Sequence, residues 1–268
     1  RTGRRGWRGG ASGQALASGQ RTRPQRSLHG PTEAERGRER WPTRNERARR
    51  GLSALAVLSF WPHPLSLASD AADRIAIDLD ADGWSVQPDF LDRAATTAFR
   101  NESAARRPEF HHAGTGRGAG HQLQPGVRGD DVLWLGGDRE APSEGGYLSA
   151  LETLRVHLNR TLYLGLDGFE AHVAVYPAGA GYARHRVAFH GTGPGRVLST
   201  VLYLNDDWVD ADGGHLRLFL DGANAEPFLD VAPTGGTLVA FLSEQIEHEV
   251  RPARRERMSV AGWFSARP

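Results

Sequence analysis

The chain has 268 residues, 39% of them hydrophobic, and a formal net charge of +1, which leaves room for one large domain or a domain with a tail. All 33 basic residues are arginine and cysteine is absent, so Schiff-base and lysine-nucleophile chemistry, cysteine nucleophiles, thiolate metal sites and disulfides are excluded. Residues 1–50 hold fourteen Arg and four Glu, a formal +10 that leaves −9 for the rest, so the basic balance belongs to the N-terminal segment alone.

Residues 1–69 read as an Arg-rich, disordered tail containing one short apolar run. Arg, Gly, Ser and Gln without periodicity bury too little apolar surface to offset the entropy of ordering them. Clustered Arg neutralises phosphates, but the first fifty residues offer only Trp7 and Trp41 to stack on bases. Nucleic-acid binding by the tail is therefore not expected. Arg49 and Arg50, an apolar run from Leu52 to Trp61 and a small-residue exit near Ala68 mimic a signal peptide. The run is too short to span a bilayer, and its basic pair lies far behind the first residue. The expectation is a cytoplasmic protein without a membrane span, with export through the 49–70 segment as the competing reading.

The folded domain is expected over 70–268, with a helical and mixed part at 70–168. Ala71–Leu79 has helical spacing, GWSVQ is a short strand, and Asp89–Arg107 is a second helical stretch. Residues 108–131 are loop-like, DVLWLG reads as a strand, and Gly146–Leu162 as an amphipathic helix with Tyr147, Leu151, Leu154 and Leu158 on one face. From 169 to 266 the pattern changes to eight short β-type runs punctuated by Gly, Pro and Asp, from AHVAVYP through RVLSTVLYLN and GTLVAFLS to RMSVAGWF. That spacing predicts a mainly β protein with bracing helices around a double-stranded β-helix, or jelly-roll, core.

Strand parity narrows where chemistry could sit. In RMSVAGWF, Arg257 shares a face with Ser259, Ala261 and Trp263, opposite Met258, Val260 and Phe264. A strand-borne arginine on an otherwise apolar face needs an anionic partner or an exit to water. His248 precedes the turn PARRE, which should set it beside the strand that Arg257 opens, and His185 lies on a much earlier strand. In a jelly-roll such strand ends converge on one mouth, where two imidazoles and a guanidinium suit a metal ion and a carboxylate. Asp212, Gly213 and Gly214 read as hairpin turn residues.

The pieces VAVYPAGAGYARH, GRVLSTVLYLNDDW, DGGHLRLF, DVAPTGGTLVAFLSEQIEHEV and RERMSVAGWF, with VRGDDVLWL upstream, resemble the Fe(II)- and 2-oxoglutarate-dependent dioxygenases of the prolyl 4-hydroxylase type. The similarity extends to the hypoxia-factor prolyl hydroxylases and their bacterial relatives, and covers roughly residues 75–266 in order. The resemblance implies His185 and His248 as metal ligands, Arg257 and Tyr203 on the far carboxylate of 2-oxoglutarate, and Tyr176 near the metal-bound end of that cosubstrate. It further implies Fe(II) and 2-oxoglutarate as cofactors with ascorbate as an accessory, a proline-containing protein or peptide as substrate, and succinate and CO2 as products. Arg196 is placed by the same likeness at the substrate mouth.

One position departs from the family. Its pattern has an acid two residues after the first histidine, and here His185 is followed by Arg186 and then Val187. Valine has no lone pair, so the facial triad of two histidines and a carboxylate is left with two protein ligands. Three readings follow: a disabled dioxygenase that keeps its cosubstrate pocket, a metal held by two histidines and the cosubstrate with water in the vacant place, or a halide in that place, which the bulk of valine disfavours. A non-catalytic jelly-roll module that binds 2-oxoglutarate or a peptide is the alternative outside enzymology.

Overall fold

The computed structural model describes residues 64–114, 127–136, 141–187, 195–222 and 224–266, with side chains from residue 70 onward. The Arg-rich segment and the apolar run from Leu52 to Trp61 lie outside the described residues. Among the described residues three α-helices lie in the upstream part, interleaved with three short strands: α1 (Pro64–Asp82), α2 (Arg93–Ala105) and α3 (Pro142–Thr161). Helix α1 starts at Pro64, ahead of the expected onset at residue 70; proline at a first helical position has a preset φ and no N–H to waste. Helix α2 is opened by Asp92, whose carboxylate accepts from Ala95 N at 2.7 Å, as an N-cap residue should. No helix among the described residues is long and apolar enough to cross a membrane.

Among the described residues eleven strands form two antiparallel sheets. The major sheet runs β1-β9-β6-β11-β4-β3-β2 and the minor sheet β5-β10-β7-β8. Their members are β1 (Trp84–Gln87), β2 (His111–His112), β3 (Asp131–Trp134), β4 (Leu166–Tyr176), β5 (Tyr182–His185), β6 (Arg196–Tyr203), β7 (Leu216–Phe219), β8 (Phe228–Val231), β9 (Leu238–Leu242), β10 (Glu247–Val250) and β11 (Arg257–Ala266). This is the jelly-roll architecture that the eight downstream runs predict, with three further strands from the upstream part. One of them, β2, falls in the stretch expected to be loop; its two histidines pair with Val132 and Asp131 of β3.

The period-2 pattern of the strands decides which residues face which layer. One face of the major sheet supplies Val173, Val175, Leu198, Leu202, Met258, Val260 and Phe264 to a core completed by Ile75, Phe99, Tyr147, Leu151, Leu154 and Leu158 of the helices. The helices therefore brace one side of one sheet, as their position in the chain suggests. The other face looks at the minor sheet across a second cluster built from Tyr203, Val239, Phe241, Leu216 and Leu218. This inter-sheet space is where the candidate side chains gather.

Two local expectations are corrected. The turn after β10 does not set His248 beside β11: β10 pairs with β5 and β7, while β11 pairs with β4 and β6. The PARRE segment thus carries the chain from one sheet to the other. Gly213 and Gly214, both at φ +71°, likewise lie on a crossing from β6 to β7 and do not close a hairpin. The left-handed backbone there favours glycine, and a Cβ on Gly214 would stand 2.8 Å from Ala253 Cβ.

Candidate functional site

His185 ends β5 and His248 sits in β10, and the two are direct cross-strand partners. Their ring centroids are 4.2 Å apart at an interplanar angle of 56°. Tyr182 stacks on His185 at 3.7 Å and 20°, and Phe241 of the major sheet packs on His248 at 4.8 Å. His185 Nδ1 lies 2.8 Å from the Ala183 carbonyl oxygen. That oxygen can only accept, so Nδ1 carries the proton and Nε2 keeps its lone pair. Burial pushes the His185 pKa down to about 4, against the opposing effect of the Ala183 bond. Burial, with the neighbouring His185 second, holds His248 well below its ordinary value. Both rings are neutral at pH 7, the state in which an imidazole can bind a metal.

Arg257 opens β11 and is 1% exposed. Its Nε donates to the Gly214 carbonyl at 3.0 Å and its Nη1 to Ser259 Oγ at 3.2 Å. The Gly213–Gly214 turn is therefore what orients the guanidinium. Nη2 is buried without a partner at hydrogen-bonding geometry, and so is Tyr203 Oη. Among the described residues no carboxylate lies within ion-pair distance of Arg257. The guanidinium carbon is 5.3 Å from the Tyr176 ring centroid and 5.1 Å from that of Tyr203. Tyr176 is the direct cross-strand partner of Arg257, and Tyr203 the partner of Ser259 two residues on. Burial raises both phenols, Tyr203 to about 12, so both hydroxyls remain donors at neutral pH.

These groups form one circuit around the space between the sheets. Tyr176 packs in a cluster with Tyr182, which stacks on His185; His185 meets His248, His248 meets Phe241, and Phe241 packs in a cluster with Tyr203 beside Arg257. The arrangement offers a buried cation with an unspent N–H, an unspent phenol and two neutral imidazoles, enclosed by apolar walls. Arg257 Nη2 and Tyr203 Oη fit a carboxylate, which would satisfy both donors and the buried charge. The metal end fits in two of its three protein ligands. Val187, half-buried, follows β5 by two residues, and among the described residues no group of three His, Asp or Glu could hold a metal ion. Glu247 is turned away by Arg184 at 2.7 Å and Arg186 at 3.4 Å.

A second polar cluster is absent from the sequence-based candidates. Asp130, fully buried, accepts from Arg128 Nε at 2.7 Å and Nη2 at 2.9 Å. Arg128 lies over Tyr182 at 5.1 Å, and its Nη2 is 3.4 Å from Nε2 of buried His172. His172 in turn lies between Trp134 at 4.9 Å and Trp263 at 5.3 Å. Burial, then the charges of Arg128, Arg196 and His111, hold the His172 pKa well below its ordinary value. Residues at i and i+2 on extended chain share a face, so the Arg-Gly-Asp spacing of 128–130 was the available signal. Arg196 pairs with Glu170, Nε to Oε1 at 2.9 Å, and stacks over Trp263 at 3.7 Å.

Residues 171–265 match the family model of the 2OG-Fe(II) oxygenase superfamily. A solved Pseudomonas putida prolyl-4-hydroxylase is 39% identical, with a TM-score of 0.64 over 74% of this chain and 100% of that one. A prolyl hydroxylase from Trichoplax adhaerens, solved with a hypoxia inducible factor oxygen degradation domain peptide, is 25% identical at a TM-score of 0.64, over 75% of this chain and 91% of that one. Mouse Egl nine homolog 1 is 31% identical over 75% of this chain and 51% of its own length. The chain spans between about a quarter and three fifths of the length of the curated relatives it matches. With a matching domain model and a 39% identical structure covered end to end at a TM-score of 0.64, the chain belongs to the 2OG-Fe(II) oxygenase superfamily.

Proposed function

We propose that the protein is an Fe(II)- and 2-oxoglutarate-dependent dioxygenase that hydroxylates a prolyl residue of a protein or peptide, with metal binding weakened by Val187. The working domain would be 70–268 with its jelly-roll core at 169–266, acting in the cytoplasm. The observation that carries the reading is the buried Arg257 guanidinium, with its unspent Nη2 beside the unspent Tyr203 hydroxyl, in the same enclosure as the paired imidazoles.

Arg257 and Tyr203 would hold the far carboxylate of 2-oxoglutarate, Arg257 through a charge-assisted bond and Tyr203 through its hydroxyl proton. Tyr176 would close the other side of the cosubstrate. His185 and His248 would hold Fe(II), which together with 2-oxoglutarate supplies the activation of O2 when bound. The Ala183 carbonyl fixes the His185 tautomer and Tyr182 fixes its ring plane. Phe241 and Leu218, packed in one apolar cluster, would lower the local polarity on that side of the enclosure, which strengthens charge interactions there. Trp134, Trp263 and Arg196 would border the entering peptide.

The experiment is succinate release from 2-oxoglutarate by the full chain and by Val187→Asp, anaerobically loaded with Fe(II) and given proline-containing peptides and O2. Peptide-dependent succinate from Val187→Asp, and less from the unaltered protein, is the expected result. If neither protein consumes 2-oxoglutarate with any peptide, the dioxygenase reading fails and the non-catalytic binding module takes its place. The relatives favour the enzyme.

A further inference from the structure

We infer that this chain takes up its divalent metal and 2-oxoglutarate as an obligate pair, with the cosubstrate replacing the protein carboxylate as the group that retains the metal. The inference rests on the functional reading above. His185 and His248 are side by side, but two neutral imidazoles carry no charge to offset a dication, and Val187 offers neither charge nor lone pair. Among the described residues the acids beside the imidazoles are held elsewhere. Glu247 is bound to Arg184 and Arg186, Asp130 is held by both nitrogens of the Arg128 fork, and Glu249 faces Arg251 at 4.0 Å.

The cosubstrate end is built without reference to the metal. Arg257 is held by Gly214 and Ser259 on its Nε and Nη1, leaving Nη2 for the ligand. A 2-oxo diacid anchored there would present its other carboxylate and its keto oxygen toward the imidazoles, two oxygen donors and one negative charge. Those are the donors and the charge that the two imidazoles and Val187 do not supply. Each ligand then raises the affinity for the other by the same factor, as linkage requires. Loss of a supporting group around a metal ligand costs 10–100-fold in affinity, and a missing ligand costs at least as much. The cosubstrate should therefore tighten metal binding by roughly 10–100-fold or more. Metal loading would follow the 2-oxoglutarate concentration, whereas a complete triad would hold its metal without it.

The test uses the full chain and Mn(II), whose free-ion electron paramagnetic resonance signal disappears on binding, so no turnover is needed. Mn(II) is titrated alone, with saturating 2-oxoglutarate, and with glutarate, which keeps both carboxylates and lacks the keto oxygen. Val187→Asp is titrated in parallel, and 2-oxoglutarate binding to each metal-free protein is measured by calorimetry. The expected pattern is weak Mn(II) binding to the unaltered protein, tightened about 10–100-fold by 2-oxoglutarate and much less by glutarate. Val187→Asp should bind Mn(II) alone and show a smaller enhancement. Equal Mn(II) affinity with and without 2-oxoglutarate overturns the inference, as does an enhancement no larger than that of Val187→Asp. Failure of the unaltered protein to bind Mn(II) under any condition, while Val187→Asp binds it, also overturns it and marks a disabled site. If neither protein binds Mn(II) or 2-oxoglutarate, the functional reading itself falls.

Discussion

Replacing Arg257 by Met should weaken 2-oxoglutarate binding at least about 30-fold while leaving the ligand-free fold nearly as stable as before. The side chain is 1% exposed and has no carboxylate partner among the described residues, only the Gly214 carbonyl and Ser259 Oγ. Holding such a charge out of water costs several kcal/mol even after relaxation. Two hydrogen bonds to a charged donor return about 1.5–3 kcal/mol each. The two contributions nearly cancel, so an apolar side chain of similar length should shift ligand-free stability by no more than about 1–2 kcal/mol. Ligand binding has no such compensation: removing one partner of a buried charge pair costs about 2–5 kcal/mol, or roughly 30- to several-thousand-fold in affinity. The assay is urea unfolding with and without 2-oxoglutarate. A ligand at 100 times its Kd adds about 2.7 kcal/mol to the unaltered protein and, at the same ligand concentration, should add less than about 1 kcal/mol to Arg257→Met. A variant that keeps the ligand-induced gain, or one that unfolds without ligand, refutes the account of Arg257 as an unspent cation awaiting an anion.

Three further outcomes are expected. His172, His185 and His248 all have pKa values lowered by burial, so the unfolded chain binds more protons below its own histidine pKa of about 6.5. Stability present above that pH should be lost as pH falls from about 6.5 toward about 4, by up to ~1.4 kcal/mol per pH unit for each group; a flat urea midpoint between pH 7.5 and 5.5 contradicts this. Asp130→Asn leaves the Arg128 cation uncompensated in a buried pair and should cost about 3–5 kcal/mol in chemical denaturation, whereas a loss under 1 kcal/mol would mean that the pair is dispensable. Gly214→Ala forces a Cβ to 2.8 Å from Ala253 Cβ and 3.4 Å from Arg257 Cδ at φ +71°. It should cost more than about 1 kcal/mol and weaken 2-oxoglutarate binding through the displaced guanidinium, and unchanged affinity by calorimetry would show that the turn does not orient Arg257.

The strands were legible because alternation in sequences such as RMSVAGWF is set by which face is buried. Met258, Val260 and Phe264 lie in the helix-braced core, while Arg257 and Ser259 face the inter-sheet space, as parity requires. Sheet membership was not legible. Alternation says which face a residue takes but not which sheet its strand joins, so the segments after Val250 and Tyr203 read as hairpins when both cross between sheets. Strand β2 escaped notice because its two residues are too few to show a period, and its pairing depends on β3 alone. The Arg128, Asp130 and His172 cluster escaped because it joins positions 44 residues apart, Arg128 being bridged to Tyr182 of β5 while His172 lies in β4.

At Val187 the sequence and the structure contribute different halves of one argument. The residue type alone establishes that no lone pair is available at that position, which a reading of letters can do. Whether another carboxylate takes over depends on where the neighbouring acids are held. Strand parity already turns Glu247 and Glu249 away from the face that His248 presents, and the structure adds the reason they stay there. Glu247 is gripped by Arg184, whose guanidinium also donates to the Gly222 and Asn224 carbonyls at 2.8 and 3.0 Å and stacks on Phe219 at 3.7 Å. Freeing Glu247 to reach a metal would break a charge-assisted pair that is three-quarters buried on both sides, a cost that opposes its swinging in. Among the described residues no acid takes the place of the missing carboxylate, so in the proposed site the completing anion would have to arrive with the ligand that Arg257 would hold.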